Sequence, residues 1–136
     1  MKTYALDMHT VGNNLSVYVN FWDANIKKYR IGLFTFDTGA SVTTISKDVL
    51  FDLGYNVVEG KVRPITTASS VEYVREVIVD KIQIGGHELN NVMVCAHTFP
   101  EESYTTGVIG LDILSQFDIS LLFSKRLIEL IKICEK

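Results

Sequence analysis

Positive charge is not in excess in this chain: 13 lysines and arginines stand against 16 aspartates and glutamates, a formal net charge of -3. That leaves no basic footprint for a nucleic acid and no polybasic patch for a membrane surface. Long apolar runs are also lacking. Nothing approaches the roughly 20 apolar residues of a membrane span. The opening Met1-Lys2-Thr3-Tyr4-Ala5-Leu6-Asp7 holds no apolar stretch long enough for a secretory signal core. Cysteine is scarce: Cys95 and Cys134 each lie in apolar, strand-like surroundings with no paired spacing. Two buried thiols are therefore expected in preference to a disulfide or a metal site, and a reducing, cytoplasmic setting follows. Linkers, low-complexity tracts and repeats of about 20–50 residues are absent. A chain of 136 residues is sized for one domain, spanning 1–136, with room for a real core but not for two duplicated lobes.

What is present reads as an ordered, mainly β protein, with hydrophobic content of 47% and charged content of 21%. Leu15, Val17, Val19 and Phe21 alternate with polar residues as in a half-buried strand. Asp23-Ala24-Asn25 makes a turn, and residues 30–37 form the returning strand, whose Ile31, Leu33, Phe34 and Phe36 suggest burial on both faces. The resulting hairpin would deliver Asp37 to the interior. Ser46 is placed to cap a short helix with Val49, Leu50 and Leu53 as its apolar face and Gly54 as its stop. Residues 62–84 read as two long strands joined near Ala68-Ser69-Ser70. A Gly85-Gly86 turn, a buried strand over residues 92–96, a polar loop over 99–107, a short helix over 112–116 and a final hairpin over 117–133 complete the chain.

The stretch that carries chemistry is Phe36-Asp37-Thr38-Gly39-Ala40-Ser41. It puts an acid in a tight turn of small residues at the end of an apolar strand. A carboxylate there is costly unless hydrogen-bonded or paired. Gly39 lets a backbone N–H approach the acid, the Thr38 hydroxyl can brace a neighbouring backbone, Ser41 can reach the outer carboxylate oxygen, and Ala40 keeps the turn narrow. A turn aspartate satisfied by local hydrogen bonds is the plainer account of the triplet alone. Asp-Thr-Gly occurs once. Phe51-Asp52-Leu53-Gly54 echoes it but reads as a helix end, and neither Asp112 nor Asp118 precedes Thr/Ser-Gly. Cys95 and His97 share a strand face, but no third ligand accompanies them, so no metal is expected. Trp22, Tyr18 and Tyr29 read as packing residues.

The motif resembles the active-site sequence of retropepsin-like aspartic proteases. Val108-Ile109-Gly110 is similar to that family's apolar-apolar-Gly element packed behind the catalytic loop, and Leu111-Asp112-Ile113-Leu114 to the start of its short helix. The resemblance covers roughly residues 12–133 and is nearest to the single-domain bacterial and retrotransposon-like branch. It implies a closed-barrel-like acid protease fold with two short helices and a homodimeric aspartic endopeptidase without a cofactor. The two Asp37 side chains, one per subunit, would share one proton and titrate as a unit, one activating water and the other protonating the scissile carbonyl of a peptide or protein substrate. By the same resemblance Thr38 would grip the partner chain across the two-fold axis, and Thr66, Thr67, Ala68, Ser69 and Ser70 would form a flap over the substrate.

Three departures stand out. The flap tip carries no glycine, unlike the Gly-rich flaps of retroviral members. Leu111 replaces the arginine that in those members follows the glycine and ties the active-site loop down by an ion pair. The terminal hairpin is also longer than a single exchanged strand. A non-catalytic dimeric peptide-binding domain of the same fold is the rival reading, because a fold does not dictate a function. A small-molecule-binding β-barrel is a third.

Overall fold

The structure is a computed structural model, and it describes residues 2–66 and 68–134. Met1, Thr67, Glu135 and Lys136 lie outside the described residues. Among the described residues, eleven strands and two short α-helices run in the order β1 (Thr3–Asp7), β2 (His9–Val11), β3 (Asn14–Asp23), β4 (Lys28–Phe36), β5 (Thr44–Ser46), α1 (Lys47–Asp52), β6 (Val62–Thr66), β7 (Val71–Ile84), β8 (His87–His97), β9 (Gly107–Ile109), α2 (Leu111–Leu114), β10 (Phe117–Leu122) and β11 (Leu127–Lys132).

The alternation in β3 buries Val17, Val19 and Phe21 on one side, and β4 returns antiparallel from Asp23↔Lys28 to Ser16↔Thr35. The expected burial of both faces of β4 does not hold. Phe34 and Phe36 are buried, but Ile31 is 66% exposed, because a hairpin covers only the face turned to the core. The sheet continues in the order β2-β3-β4-β9-β5-β8-β7-β6. β7 meets β3 again at Asn20↔Gln83 and Phe21↔Ile82, so the strands return on themselves in a barrel-like ring that is only partly hydrogen-bonded. Val79, Ile82, Ile45, Val94 and Ile109 fill its inside.

The first of the two strands expected in residues 62–84 is short. β6 spans five residues against the fourteen of β7. Pro64, which lacks a ladder N–H, lies on this edge strand, where proline is tolerated. Helix α1 begins as its residues dictate: Ser46 Oγ accepts from the Val49 N–H at 3.4 Å, and Leu50 and Leu53 are buried. Helix α2 starts one residue earlier than the pattern suggested, at Leu111.

β1 and β2 escape a reading by periodicity because each is brief; β2 pairs with the adjacent β3 from His9↔Ser16 to Val11↔Asn14, and β1 pairs with distant sequence. β1 lies antiparallel to β11 from Thr3↔Ile131 to Asp7↔Leu127, and β10 flanks β11 on its other side. The terminal hairpin thus belongs to a three-stranded sheet made within one chain, with Ile128 and Leu130 fully buried beneath it. Cys95 is buried and free as expected, but Cys134, just past β11, is exposed. Among the described residues no helix is long and apolar enough to cross a membrane. Trp22 and Tyr29 pack edge to face at 5.3 Å, and Lys81 Nζ sits 4.5 Å from the Trp22 ring centre, in keeping with a packing role.

Candidate active site

Strand β4 ends at Phe36 beside Ile109 of β9, in parallel register. The next peptide leaves the ladder with one more bond, from the Asp37 N–H to Ile109 O at 3.0 Å. The turn then closes on itself. Gly39 N–H donates to Asp37 Oδ1 at 2.8 Å, and Ala40 N–H donates to Asp37 O at 3.2 Å. These contacts hold the carboxylate at the mouth of the turn. Asp37 is half-buried, with Thr38 and Gly39 exposed beside it. The hairpin therefore delivers the acid to a half-buried position lining a groove, short of the full interior, between buried Phe36 and exposed Thr38. Ser41 is exposed and does not bond the carboxylate; among the described residues the Gly39 N–H is its hydrogen-bond donor.

The two sequence elements 70 residues apart meet here. Leu111 N–H donates to Ala40 O at 2.8 Å, so the start of α2 is pinned to the Asp37 turn. Gly110 is forced by close approach: a Cβ at that position would lie 2.7 Å from Val42 O and 2.8 Å from Ala40 O. Such contacts are shorter than carbon and oxygen tolerate, so the backbones can approach this closely only with glycine there.

A set of bonds that the sequence did not announce fastens the same junction. Thr43, fully buried, donates from Oγ1 to Asp112 Oδ1 at 2.7 Å and from its N–H to Asp112 Oδ2 at 3.0 Å. Thr43 Oγ1 in turn accepts the Gly110 N–H at 3.0 Å, and Asp112 Oδ1 also accepts the Ile113 N–H at 2.9 Å. Leu111 is 44% exposed and makes no ion pair. The tie between turn and helix passes through the next residue, Asp112, and a threonine two residues past Ser41. The only sequence signal was an acid in the first turn of a short helix.

Asp37, Gly39, Ala40, Ser41 and Val108 line one side of a groove of about 500 Å³, and Arg63, Pro64, Ile65 and Thr66 of β6 line another. Of the expected flap residues, Thr66 is in this lining. Ala68, Ser69 and Ser70 are exposed at the tip of the β6–β7 hairpin, and Thr67 lies outside the described residues. His97 and Phe99, at the end of β8 and beyond, also reach the groove; sequence inspection considered His97 only as a metal ligand. Among the described residues no group of three or more His, Cys, Asp or Glu is arranged to hold a metal ion. Close by, burial pushes the Cys95 thiol above its ordinary value, only partly offset by the positive charge of Arg63. That makes it a packing group and a poor nucleophile.

A family model described as gag-polyprotein putative aspartyl protease matches residues 22–116, which include both the Asp37 turn and Val108-Ile109-Gly110. Among solved structures the chain is similar to a retropepsin-like aspartic protease from Rickettsia conorii, with a TM-score of 0.66 and 21% sequence identity, covering 95% of this chain and 89% of that chain. At that identity the likeness establishes the fold, which is retropepsin-like. No curated protein sequence matches the chain.

Proposed function

The chain belongs to the gag-polyprotein aspartyl protease family, and from that premise we propose that it is a homodimeric endopeptidase whose catalytic pair is Asp37 and its copy in a second subunit. One observation carries the proposal: a half-buried carboxylate, held by the Gly39 N–H at 2.8 Å, lines a groove that β6 also lines. A structural aspartate would be expected to be fully buried among its partners; a half-buried carboxylate lining a groove supports the reading that it meets a second copy. Each chain, as a single domain, would supply half of the site, with exposed Thr38 beside the two-fold axis.

In the paired site two carboxylates a few ångströms apart cannot both ionise, so they share one proton. The ionised Asp37 takes a proton from a water held between them. The resulting hydroxide attacks the scissile carbonyl carbon as the protonated Asp37 donates to the carbonyl oxygen. The tetrahedral intermediate then collapses: the C–N bond breaks, a carboxyl proton passes to the leaving amine, and a hydroxyl of the intermediate gives its proton to the other carboxylate, so that the pair again holds one proton. The substrate would lie as an extended strand between β6 and the Asp37 floor, where backbone hydrogen bonds to a sheet edge give affinity and side-chain pockets give selectivity. The β6–β7 hairpin would act as the lid. Both cysteines are free, which supports a reducing compartment and hence the cytoplasm.

The test is Asp37→Asn. The variant should keep the circular dichroism spectrum and melting temperature of the parent and lose peptide cleavage by at least about a thousandfold, the scale on which removing an acid–base group acts. Cleavage by the variant at the parental rate would overturn Asp37 as the catalytic acid, and no cleavage by the parent would leave a non-catalytic peptide-binding module as the better reading.

A further inference from the structure

Asp37, Arg63 and His97 are the titratable side chains that line the groove. Their surroundings differ in a way that bears on what the groove accepts. Arg63 and Ile65 are the more covered residues of β6, alternating with exposed Val62, Pro64 and Thr66, so both point to the same side. Across the sheet Arg63 stands opposite Val74 of β7. His97, one step beyond the Arg75↔Ala96 pair, comes beside Val74 on β8. Glu72 and Glu76 flank Val74 two residues away along β7. Each has a partner in this square: Arg63 Nη1 lies 3.6 Å from Glu76 Oε2, and His97 Nδ1 lies 3.4 Å from Glu72 Oε2.

The asymmetry lies in which members face the groove. Arg63 and His97 line it, and the two glutamates do not. Each glutamate engages one nitrogen of its basic partner, Arg63 Nη1 or His97 Nδ1. A guanidinium has five N–H donors in a planar fork and is always charged, more than one carboxylate at 3.6 Å can engage. Its stem is partly covered, with the side chain 37% exposed, so a bound acid would meet it with some water excluded.

We infer that Arg63, assisted by His97, forms a subsite for an acidic side chain, and that the substrates of this protein are peptides carrying Glu or Asp near the cleaved bond. The inference rests on the peptidase reading above and goes beyond it by naming the substrate class. Arg63 precedes Thr66 by three residues, about 10 Å along an extended strand. On this reading the acidic side chain would meet Arg63 some residues from the cleaved bond, with Val108 and Ile65 offering apolar lining to the residues between. Because each subunit of the dimer contributes one Arg63, the two-fold axis repeats the subsite on the other side of the bond, and a substrate with an acid on each side would engage both.

The experiment compares matched peptides with Glu or Gln at each position around the cleavage site. The parent protein should cleave the better-placed Glu peptide about tenfold faster in kcat/KM than its Gln twin, the scale of a charge-assisted hydrogen bond. Arg63→Met should remove that difference by bringing cleavage of the Glu peptide down to that of its Gln twin, and Arg63→Glu should reverse it in favour of a Lys peptide. The same peptides, labelled for fluorescence anisotropy, are bound to the Asp37→Asn protein, so that recognition is read without chemistry. Equal handling of Glu and Gln peptides by the parent, or a preference unchanged in Arg63→Met, overturns the inference and leaves the peptidase reading standing. Charge-dependent binding without any cleavage supports the subsite and overturns the peptidase reading. Absence of both cleavage and binding overturns both.

Discussion

Asp112 shows how much of the site depends on residues that do no chemistry. Its carboxylate accepts the Thr43 hydroxyl and two backbone N–H groups, and Thr43 itself is fully buried. Removing the carboxylate strands those donors, a cost of about 1–3 kcal/mol. Asp112→Ala should therefore lower the unfolding free energy measured by urea titration by that amount and reduce cleavage, since the Asp37 turn loses its tie to α2. Asp112→Asn, which keeps one acceptor oxygen, should recover part of both. At the opposite end of the molecule, burial and then the neighbouring Glu88 carboxylate push the Tyr29 hydroxyl from 10.0 up to about 12. A phenol whose value is raised on folding contributes stability that is fully present below about pH 10 and disappears as the pH climbs toward 12. The Tyr29→Phe protein should accordingly lack this alkaline loss, seen as a flatter stability profile between those limits, while its cleavage rate at neutral pH is unchanged.

Among the elements, the β6–β7 hairpin differs in kind from the β7–β8 pair. β6 is a five-residue edge strand interrupted by Pro64, and it borders the groove. β7 and β8 pair from Arg75↔Ala96 to Ile84↔His87 over buried Val77, Val79 and Ile82. Opening free energies follow buried contacts and shielded hydrogen bonds. Amides of residues 62–66 should exchange at least about a hundredfold faster than those of residues 77–84 by mass spectrometry, and a bound transition-state mimic should slow the former selectively. Equal protection would mean that the hairpin is no lid. Much of the element layout was legible in the chain: period-two alternation marked β3, Ser46 and Gly54 bracketed α1, and Gly85-Gly86 marked the β7–β8 turn. β1 and β2 were not legible, since three to five residues carry too little periodicity, and the partner of β1 lies far away in sequence. Ile31 misled for a related reason: an apolar residue on a strand does not reveal which face its partners will cover.

At the scale of the whole molecule, β1 completes a sheet with β10 and β11 inside a single chain. The terminal hairpin is thereby fastened before any second subunit arrives. A catalytic pair shared between subunits has a signature that mutation of one site cannot mimic. Mixing parent protein with an excess of Asp37→Asn protein and allowing exchange should depress activity in proportion to the hybrid dimers formed, well below simple dilution. Activity equal to the parent's own share would show that each subunit works alone and would sink the shared pair. Sedimentation velocity on the same mixtures reports the dimer directly.

The chain alone determined that Asp37 sits in a small-residue turn after an apolar strand, and that Val108-Ile109-Gly110 exists to accompany it. Both are local matters: steric demands of a tight turn and of close backbone approach select particular small residues, and those selections are written in order along the sequence. Tertiary structure alone decided the half-buried position of the acid in a groove, the clamp of Thr43 on Asp112, and the meeting of Arg63 and His97 at that groove. Those depend on strands far apart in sequence lying side by side, and no residue type records which distant neighbour it will face.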